Sequence, residues 1–250
     1  IAEAIDLKDR PTLLSAFEDM HPADVADVLE QVSPGRRRRA VQLLGPDLPS
    51  EALAELSEDV RAEALESLPD AVVVEALEEL DSDDAAEIAA ELDSERKGRV
   101  LERINAGDRA AIETSLKFDE ETAGRLMQRD FVAAPDFWTV GQAIDHMRTV
   151  EDLPDPFFEV YLVDPGFHLK GAVPLSVLIR SARETPLSEL QVDLSTAVRP
   201  QMDQEEVAYI FQQYNLASAP VVDEDGRLTG MITVDDMVDV IQEENKEDLL

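Results

Sequence analysis

The chain has 250 residues, of which 56 are acidic and 22 basic, so its formal net charge is -34, and it has no cysteine. This charge excludes nucleic acid and anionic lipid headgroups as main partners and favours cations or basic surfaces, while the lack of cysteine excludes disulfides and thiolate metal sites. Hydrophobic residues make up 44% of the chain, which predicts folded domains rather than disorder, and no apolar run reaches the ~20 residues of a membrane span.

The first half of the chain carries a repeat with a period of 12. Large apolar residues recur at this spacing, and each follows a second apolar residue by four positions, the distance that places both on one helix face. The large residues are Leu44, Leu56, Leu68, Leu80, Leu92, Ile104 and Leu116, and their partners are Ala40, Ala52, Ala64, Ala76, Ile88, Val100 and Ile112. Helix-start residues follow directly: Ser57, Pro69, Asp81, Asp93 and Asn105. We predict one short helix per unit, stacked into a superhelix over residues 1-120.

The remainder of the chain mixes strand and helix signals. Strands are predicted at residues 131-134 and 158-163, and helices at residues 142-147 and 204-214. The stretch from Pro220 to Val240 then reads as a strand, a turn at residues 223-226, a returning strand and a helix. Thr233 and Asp236 form the capping pattern of that helix.

An earlier copy of this hairpin lies 59 positions upstream, at residues 163-173. Asp164, Leu169 and Gly171 match Asp223, Leu228 and Gly230. The strand, turn, strand and capped helix resemble the second half of a CBS domain, and the earlier copy indicates the tandem pair in which CBS domains usually occur. Glu121 to Met127 (ETAGRLM) and Asp203 to Ala208 (DQEEVA), together with the acidic helical repeats, make the whole chain similar to the cytosolic part of MgtE-type magnesium channels and transporters.

The resemblance implies a multidomain fold of the α plus α/β class. An N-terminal superhelix of short α-helices occupies residues 1-120, and CBS domains of β-α-β-β-α order occupy residues 121-186 and 187-242. Residues 243-250 would begin a connecting helix toward a membrane domain outside this chain. The implied partners are that transmembrane domain and a second copy bound through the CBS domains, with no nucleic acid, at the cytoplasmic face of the cell membrane.

The implied function is magnesium sensing, not enzyme catalysis. Mg2+ would bridge acidic faces of the N domain, the CBS pair and the connecting helix, and so close the pore. The matching ligand positions are Glu51, Asp83 and Glu87 on the helical side, Glu205, Asp236 and Asp239 on the CBS side, and Glu244, Glu247 and Asp248 on the connecting helix. Asn215 stands where the family has an aspartate, so its amide oxygen would bring less charge. Mg2+ prefers oxygen ligands and retains several waters, and weak regulatory sites are expected.

A rival hypothesis is an adenine-nucleotide sensor. Thr233 and Asp236 fit the pattern with which CBS domains hold ribose, close to a helix N-terminus that favours phosphate. The first domain has Pro174 and Val177 at the corresponding places. Where MgtE relatives that bind ATP make polar contacts, this chain has Glu159, Ser176, Val177 and Leu216. We therefore expect ATP to bind weakly or not at all.

A third hypothesis is a helical-repeat adaptor that binds a partner protein along its groove. Catalysis is not expected, because the chain has no P-loop and no set of nucleophile, base and orienting residue. The one basic cluster, Arg36 to Arg39, is interpreted as a solvated helix face. Its alternative role is docking onto an acidic surface or the inner leaflet.

Overall fold

The computed structural model describes residues 1-150, 153-154, 156-192 and 197-247. Its contacts divide the chain into two compact units, unit 1 (Ile1–Thr114) and unit 2 (Ser115–Leu250). Unit 1 consists of helices: α1 (Ala2–Leu7), α2 (Arg10–Phe17), α3 (Pro22–Gln31), α4 (Pro34–Leu44), α5 (Ser50–Ala54), α6 (Glu58–Ser67), α7 (Asp70–Glu79), α8 (Ser82–Glu91), α9 (Ser94–Leu101) and α10 (Ala106–Ser115).

The period of 12 is reproduced by the helices α6 to α10, which begin at residues 58, 70, 82, 94 and 106. Each begins directly after one of the predicted helix-start residues. The Asp93 carboxylate accepts hydrogen bonds from the amides of Glu95 and Arg96 at 3.0 and 2.9 Å. The side-chain oxygen of Asn105 accepts from two amides of α10 in the same way. These side chains satisfy amides that have no partner inside their helix.

The repeated leucines differ from the prediction in their conformation. All seven apolar partner residues, from Ala40 to Ile112, are buried. Leu68, Leu80 and Leu92, however, follow the ends of α6, α7 and α8 with extended backbones. The proline after Leu68 disfavours helical angles at that leucine. Leu68 and Leu92, which are buried, therefore reach the core from the turn and not from the helix face.

Unit 2 contains two similar halves. Its elements are α11 (Ala123–Leu126), β1 (Ala133–Pro135), α12 (Val140–Met147), β2 (Glu159–Val163), β3 (Leu169–Pro174), α13 (Leu175–Leu178), α14 (Gln204–Tyr214), β4 (Ser218–Val222), β5 (Leu228–Thr233) and α15 (Val234–Glu247). We call β1 to α13 the first half, and Val198 to α15 the second half.

The sheets of the two halves have the same order. β1 runs parallel to β2, and β2 runs antiparallel to β3. In the second half β4 runs antiparallel to β5, and Val198 forms a parallel bridge to Val221. The hairpin turns pair with each other, since Leu169 N donates to Gly226 O and Leu228 N donates to Phe167 O, both at 3.0 Å. The predicted fold class, a helical unit followed by a two-part α/β unit, is confirmed, and the domain limits at residues 120, 186 and 242 stay a prediction.

In each half, a backbone segment from outside the hairpin packs directly against a glycine of the second hairpin strand. Gln128 exchanges two backbone hydrogen bonds of 2.9 Å with Met231, and Val192 donates to Ala172 O at 2.8 Å. A Cβ at Gly230 would lie 2.8 Å from Gln128 O, and one at Gly171 would lie 3.1 Å from Val192 O. The 59-residue match of these glycines thus reflects the close approach of a second backbone.

Candidate metal- and nucleotide-binding sites

The predicted metal ligands of unit 1 lie on two helices that contact each other, α5 and α8. Glu51 is in the first turn of α5 and is exposed. Asp83 and Glu87 are one turn apart on α8, but their environments differ: Asp83 is 8% exposed, whereas the side chain of Glu87 is 56% exposed. The shared face predicted from their spacing therefore presents one buried and one solvent-facing carboxylate.

Glu87 is held by a buried arginine that the sequence did not single out. The guanidinium of Arg61 forms ion pairs with both Glu87 and Glu91, and it donates to Ala54 O at 3.0 Å. Burial raises the pKa of Glu91, and the hydrogen bond from Arg61 opposes that rise. Arg61 thus links the last residue of α5 to the exposed Glu87 and the largely buried Glu91 of α8.

The basic cluster of α4 is engaged within unit 1. Arg36 forms an ion pair with Asp6 at 2.6 Å, and Arg39 approaches the same carboxylate at 3.5 Å. Arg37 is buried, donates to Leu29 O at 2.9 Å and pairs with Glu63 at 2.6 Å. The interpretation of the whole run as a solvated face is wrong, because a buried guanidinium needs such partners.

In unit 2 the predicted ligands lie on the packed helices α14 and α15. Glu205 is exposed in the first turn of α14, and Asn215 ends that helix with φ 52° and ψ 50°. Asp236 accepts hydrogen bonds from the amide and the hydroxyl of Thr233, at 3.2 and 2.9 Å. Asp239 is exposed on the next turn of α15. Asparagine is common at a left-handed helix end, which gives Asn215 a backbone role of its own.

The remaining predicted ligands cannot be placed in the same detail. Glu244 and Glu247 lie in the last turns of α15, and their side chains, like the whole of Asp248, lie outside the described residues. Within the described part of the chain, no group of three His, Asp or Glu side chains is close enough to hold a metal ion. The ligand assignments stay a prediction.

The nucleotide pattern of the second half is formed in the structure. Thr233 is 5% exposed at the end of β5, and its hydroxyl and amide both bind the Asp236 carboxylate. α15 starts at the next residue, and Val234 N donates to Ala217 O at 3.0 Å. A carboxylate beside a helix N-terminus can accept hydrogen bonds from ribose while the amides face phosphate.

The junction of the two halves holds a buried polar group that the sequence did not reveal. The Glu159 carboxylate of β2 accepts from the Ser218 hydroxyl of β4 at 2.9 Å. The Tyr161 hydroxyl donates to the same serine at 3.4 Å. Burial raises the pKa of Glu159, and side-chain hydrogen bonds from Ser218 and Tyr161 to its carboxylate oppose the rise. The signal that could have found this contact is the 59-residue offset, which makes Glu159 and Ser218 equivalent positions.

No helix among the residues that the structure describes is long and apolar enough to cross a membrane.

Comparisons with known proteins agree with both units. A family model described as the MgtE intracellular N domain matches residues 20-121, and one described as the CBS domain matches residues 195-243. The "Magnesium transporter MgtE" of Thermus thermophilus is 34% identical over 151 residues, which make up 60% of this chain and 34% of that protein. The chain therefore aligns with about a third of the length of this relative.

Two solved structures resemble nearly the whole chain. A crystal structure of the cytosolic domain of the Mg2+ channel MgtE in complex with ATP has a TM-score of 0.87 and 32% identity, and the match covers 95% of this chain and 97% of that one. A crystal structure of the soluble part of a magnesium transporter has a TM-score of 0.83 and 25% identity, with coverage of 97% and 95%.

The expectation that ATP binds weakly or not at all is wrong. It is overturned by the first of these structures, in which a cytosolic domain 32% identical to this chain is in complex with ATP. The expectation rested on Pro174 and Val177 of the first half. The polar pair of the second half, Thr233 and Asp236, is formed by its own hydrogen bonds, so the apolar residues of the first half do not remove it.

Proposed function

This chain belongs to the MgtE family of magnesium transporters and corresponds to their cytosolic part, which contains CBS domains. We propose that it senses Mg2+ and thereby closes the pore of its own membrane domain. The observation that carries the proposal is the match to 97% of an MgtE cytosolic domain, with a TM-score of 0.87. The net charge of -34 also favours a cationic effector. Such a region acts at the cytoplasmic face of a membrane and not as an enzyme.

The proposed sensing chemistry uses carboxylates on each unit. Asp83 and Glu87 in unit 1, and Asp236 and Asp239 in unit 2, offer hard oxygen atoms to a cation that needs only one or two of them beside its waters. A unit charge pair at ~4 Å in water is worth about 1 kcal/mol, so several weak sites acting together are needed for a sharp response. That Mg2+ joins the acidic faces of the N domain, the CBS pair and the connecting helix stays a prediction.

A calorimetric titration with MgCl2 tests the sensing proposal. We expect saturable binding, which KCl at equal ionic strength does not reproduce, because screening weakens repulsion without forming ligand bonds. Asp83→Asn and Asp239→Asn should each weaken binding, whereas the matched control Asp235→Asn, in the exposed first turn of α15, should not. A chain that gives the same response to MgCl2 and to KCl does not sense magnesium.

We propose ATP binding as a second function of unit 2. It is supported by the ATP complex of the similar cytosolic domain and by the Thr233–Asp236 pair at the start of α15. An ATP titration monitored by calorimetry tests it. Saturable binding that Asp236→Asn weakens is expected, and an absence of heat at millimolar ATP would exclude this function.

We further propose a homodimer formed through the CBS domains, with domain limits at residues 120, 186 and 242. Val234 and Val238 lie one turn apart on α15 and are 40% and 48% exposed. Two apolar side chains on one exposed face are a surface that a second copy can cover. The transmembrane domain is the other proposed partner.

A further inference from the structure

The Arg61 guanidinium is the most enclosed charge near the predicted ligands of unit 1. Its side chain is only 5% exposed. Its Nε donates to Glu91 at 2.7 Å, one terminal nitrogen donates to Ala54 O at 3.0 Å, and the other pairs with both Glu87 and Glu91. A buried guanidinium with this many partners keeps its position.

The two carboxylates bound to Arg61 are not equivalent. The Glu91 side chain is 12% exposed and receives two guanidinium nitrogens, whereas the Glu87 side chain is 56% exposed and receives one. If Glu87 turns away, Arg61 keeps Glu91 and the Ala54 carbonyl, and its charge stays balanced by one buried carboxylate. Glu91 is therefore the permanent partner, and Glu87 is the one that can exchange into solvent.

We propose that Arg61 is the residue that sets the magnesium affinity of Glu87. Without Mg2+, Arg61 holds the Glu87 carboxylate, and Mg2+ binds there by displacing a guanidinium that stays where it is. The inference rests on the proposed function, because it takes Glu87 as a magnesium ligand. Under this proposal the Arg61 side chain of α6 competes with Mg2+ for the Glu87 carboxylate. When Mg2+ displaces it from Glu87, the guanidinium stays bound to Glu91 and Ala54 O.

The charge of the competitor determines which ions can displace it. A monovalent ion would only replace one unit charge by another, and it is more strongly hydrated than the guanidinium that it displaces. A divalent ion gains about twice the Coulomb energy from the same carboxylate, and Mg2+ can bind there while it keeps most of its waters. Arg61 thereby suppresses binding of potassium and sodium at Glu87. It also moves the midpoint for Mg2+ to higher concentration than a free glutamate would give.

Two variants with opposite expected effects test this role. In Arg61→Gln/Glu91→Gln, the buried pair becomes neutral, Glu87 is released, and its Mg2+ affinity should rise about two- to fivefold, the range of one half-exposed ion pair. In Glu91→Gln, Arg61 has Glu87 as its remaining carboxylate and holds it more firmly, so the Mg2+ affinity should fall by a similar factor. If Arg61 only stabilised the fold, the two variants would not change the Mg2+ affinity in opposite directions.

The matched control is Arg37→Gln/Glu63→Gln, which neutralises another buried arginine and its glutamate in unit 1 with the same change in charge. It should leave the MgCl2 titration unchanged. A second control repeats the Arg61 pair in a Glu87→Gln background, where the affinity gain should disappear. Circular dichroism of every variant confirms its helix content before the titration.

The outcomes separate this inference from the proposed function. If the unmodified chain shows no Mg2+ binding, the proposed function fails first. If it binds Mg2+ and the Arg61→Gln/Glu91→Gln chain shifts no more than the Arg37 control, the inference is overturned. Should the double variant not fold, Arg61→Lys keeps the charge and loses the fork-shaped donor set. Its Mg2+ affinity should then rise, and an unchanged affinity also overturns the inference.

Discussion

The Glu159 carboxylate accepts a hydrogen bond of 2.9 Å from the Ser218 hydroxyl, and the two residues stand 59 positions apart, which is the offset that relates the two halves of unit 2. The same serine accepts from the buried hydroxyl of Tyr161. The contact therefore joins β2 of the first half to β4 of the second at equivalent positions. Because the site is buried, its polar atoms are costly unless all of them are satisfied.

We predict that Glu159→Gln flattens the acid side of the stability profile. Burial raises the pKa of Glu159 above its ordinary value of 4.5. A raised folded pKa contributes stability that is fully present below 4.5 and is lost as the pH rises through the folded value. The free energy of unfolding of the variant, relative to the unmodified chain, should increase with pH above 4.5 in urea titrations. Glu206→Gln, on the exposed side of α14, is the control, and equal slopes for both variants would refute the prediction.

Gly230→Ala should weaken unit 2 by lifting residues 127–128 off β5. The new Cβ would lie 2.8 Å from the Gln128 carbonyl oxygen, and a backbone atom cannot turn away as a side chain can. We expect the free energy of unfolding to fall by about 1 to 3 kcal/mol, measured by urea denaturation. Gly98→Ala in α9 has no atom within 4 Å and should gain up to about 1 kcal/mol. A Gly230→Ala chain as stable as its parent would contradict the close approach.

Two periodicities made most of the fold predictable. The 12-residue repeat located the starts of α6 to α10, since a helix-start residue is a local signal that does not depend on distant contacts. The 59-residue offset identified Gly171 and Gly230 as equivalent before their neighbours were known. Leu68 was placed on a helix face because spacing alone does not tell whether the last residue of a repeat is still helical.

The candidate sites were less predictable, because their chemistry depends on partners far away in the sequence. Arg61 meets Glu87 and Glu91 across 26 and 30 positions, and a repeat pattern tells which face a residue occupies but not which side chain lies opposite. Arg37 was assigned to solvent with its neighbours because a run of like charges is usually exposed. Its burial follows from its contact with the end of α3, which no local pattern records.

We predict that Val238→Glu converts the chain to a monomer. Val238 is 48% exposed on α15, and a charge buried without a partner in a dimer interface is strongly unfavourable. Sedimentation at tens of micromolar should show a dimer for the unmodified chain and 27.7 kDa for the variant. Gln213→Glu, at an exposed position of α14, adds the same single negative charge and is the control. A monomeric unmodified chain, with and without MgCl2, would disprove the homodimer.

We predict that Thr233→Val weakens ATP binding to the second half and leaves Mg2+ binding nearly unchanged. Valine has nearly the same shape but removes the hydroxyl that donates to Asp236 at 2.9 Å. Loss of one such hydrogen bond should weaken ATP binding about fivefold, because Asp236 is then less firmly oriented. Asp236 keeps its charge, so the MgCl2 titration should change little. Equal losses in both titrations would mean that the variant disturbs the fold of unit 2 and not the nucleotide pattern.

Asn215→Asp tests whether an aspartate, which the resemblance to the family implies at this position, strengthens the magnesium response. Asn215 has φ 52° and ends α14, with its amide bonded to Phe211 O. Aspartate also tolerates this left-handed conformation, so the backbone should be retained. A negative charge at a helix C-terminus opposes the helix dipole, and we expect the free energy of unfolding in EDTA to fall by about 0.3 to 1 kcal/mol.

Added MgCl2 should reverse that loss if residue 215 faces a bound ion. A carboxylate attracts Mg2+ more strongly than an amide oxygen does, so the midpoint of the Mg2+-dependent rise in melting temperature should move to lower concentration. Asn215→Gly is the matched control, because glycine keeps the left-handed backbone and has no side-chain oxygen. Its stability in EDTA should be unchanged and its magnesium midpoint should be higher. If the aspartate and glycine variants have the same midpoint, residue 215 is a helix cap and contributes nothing to magnesium binding.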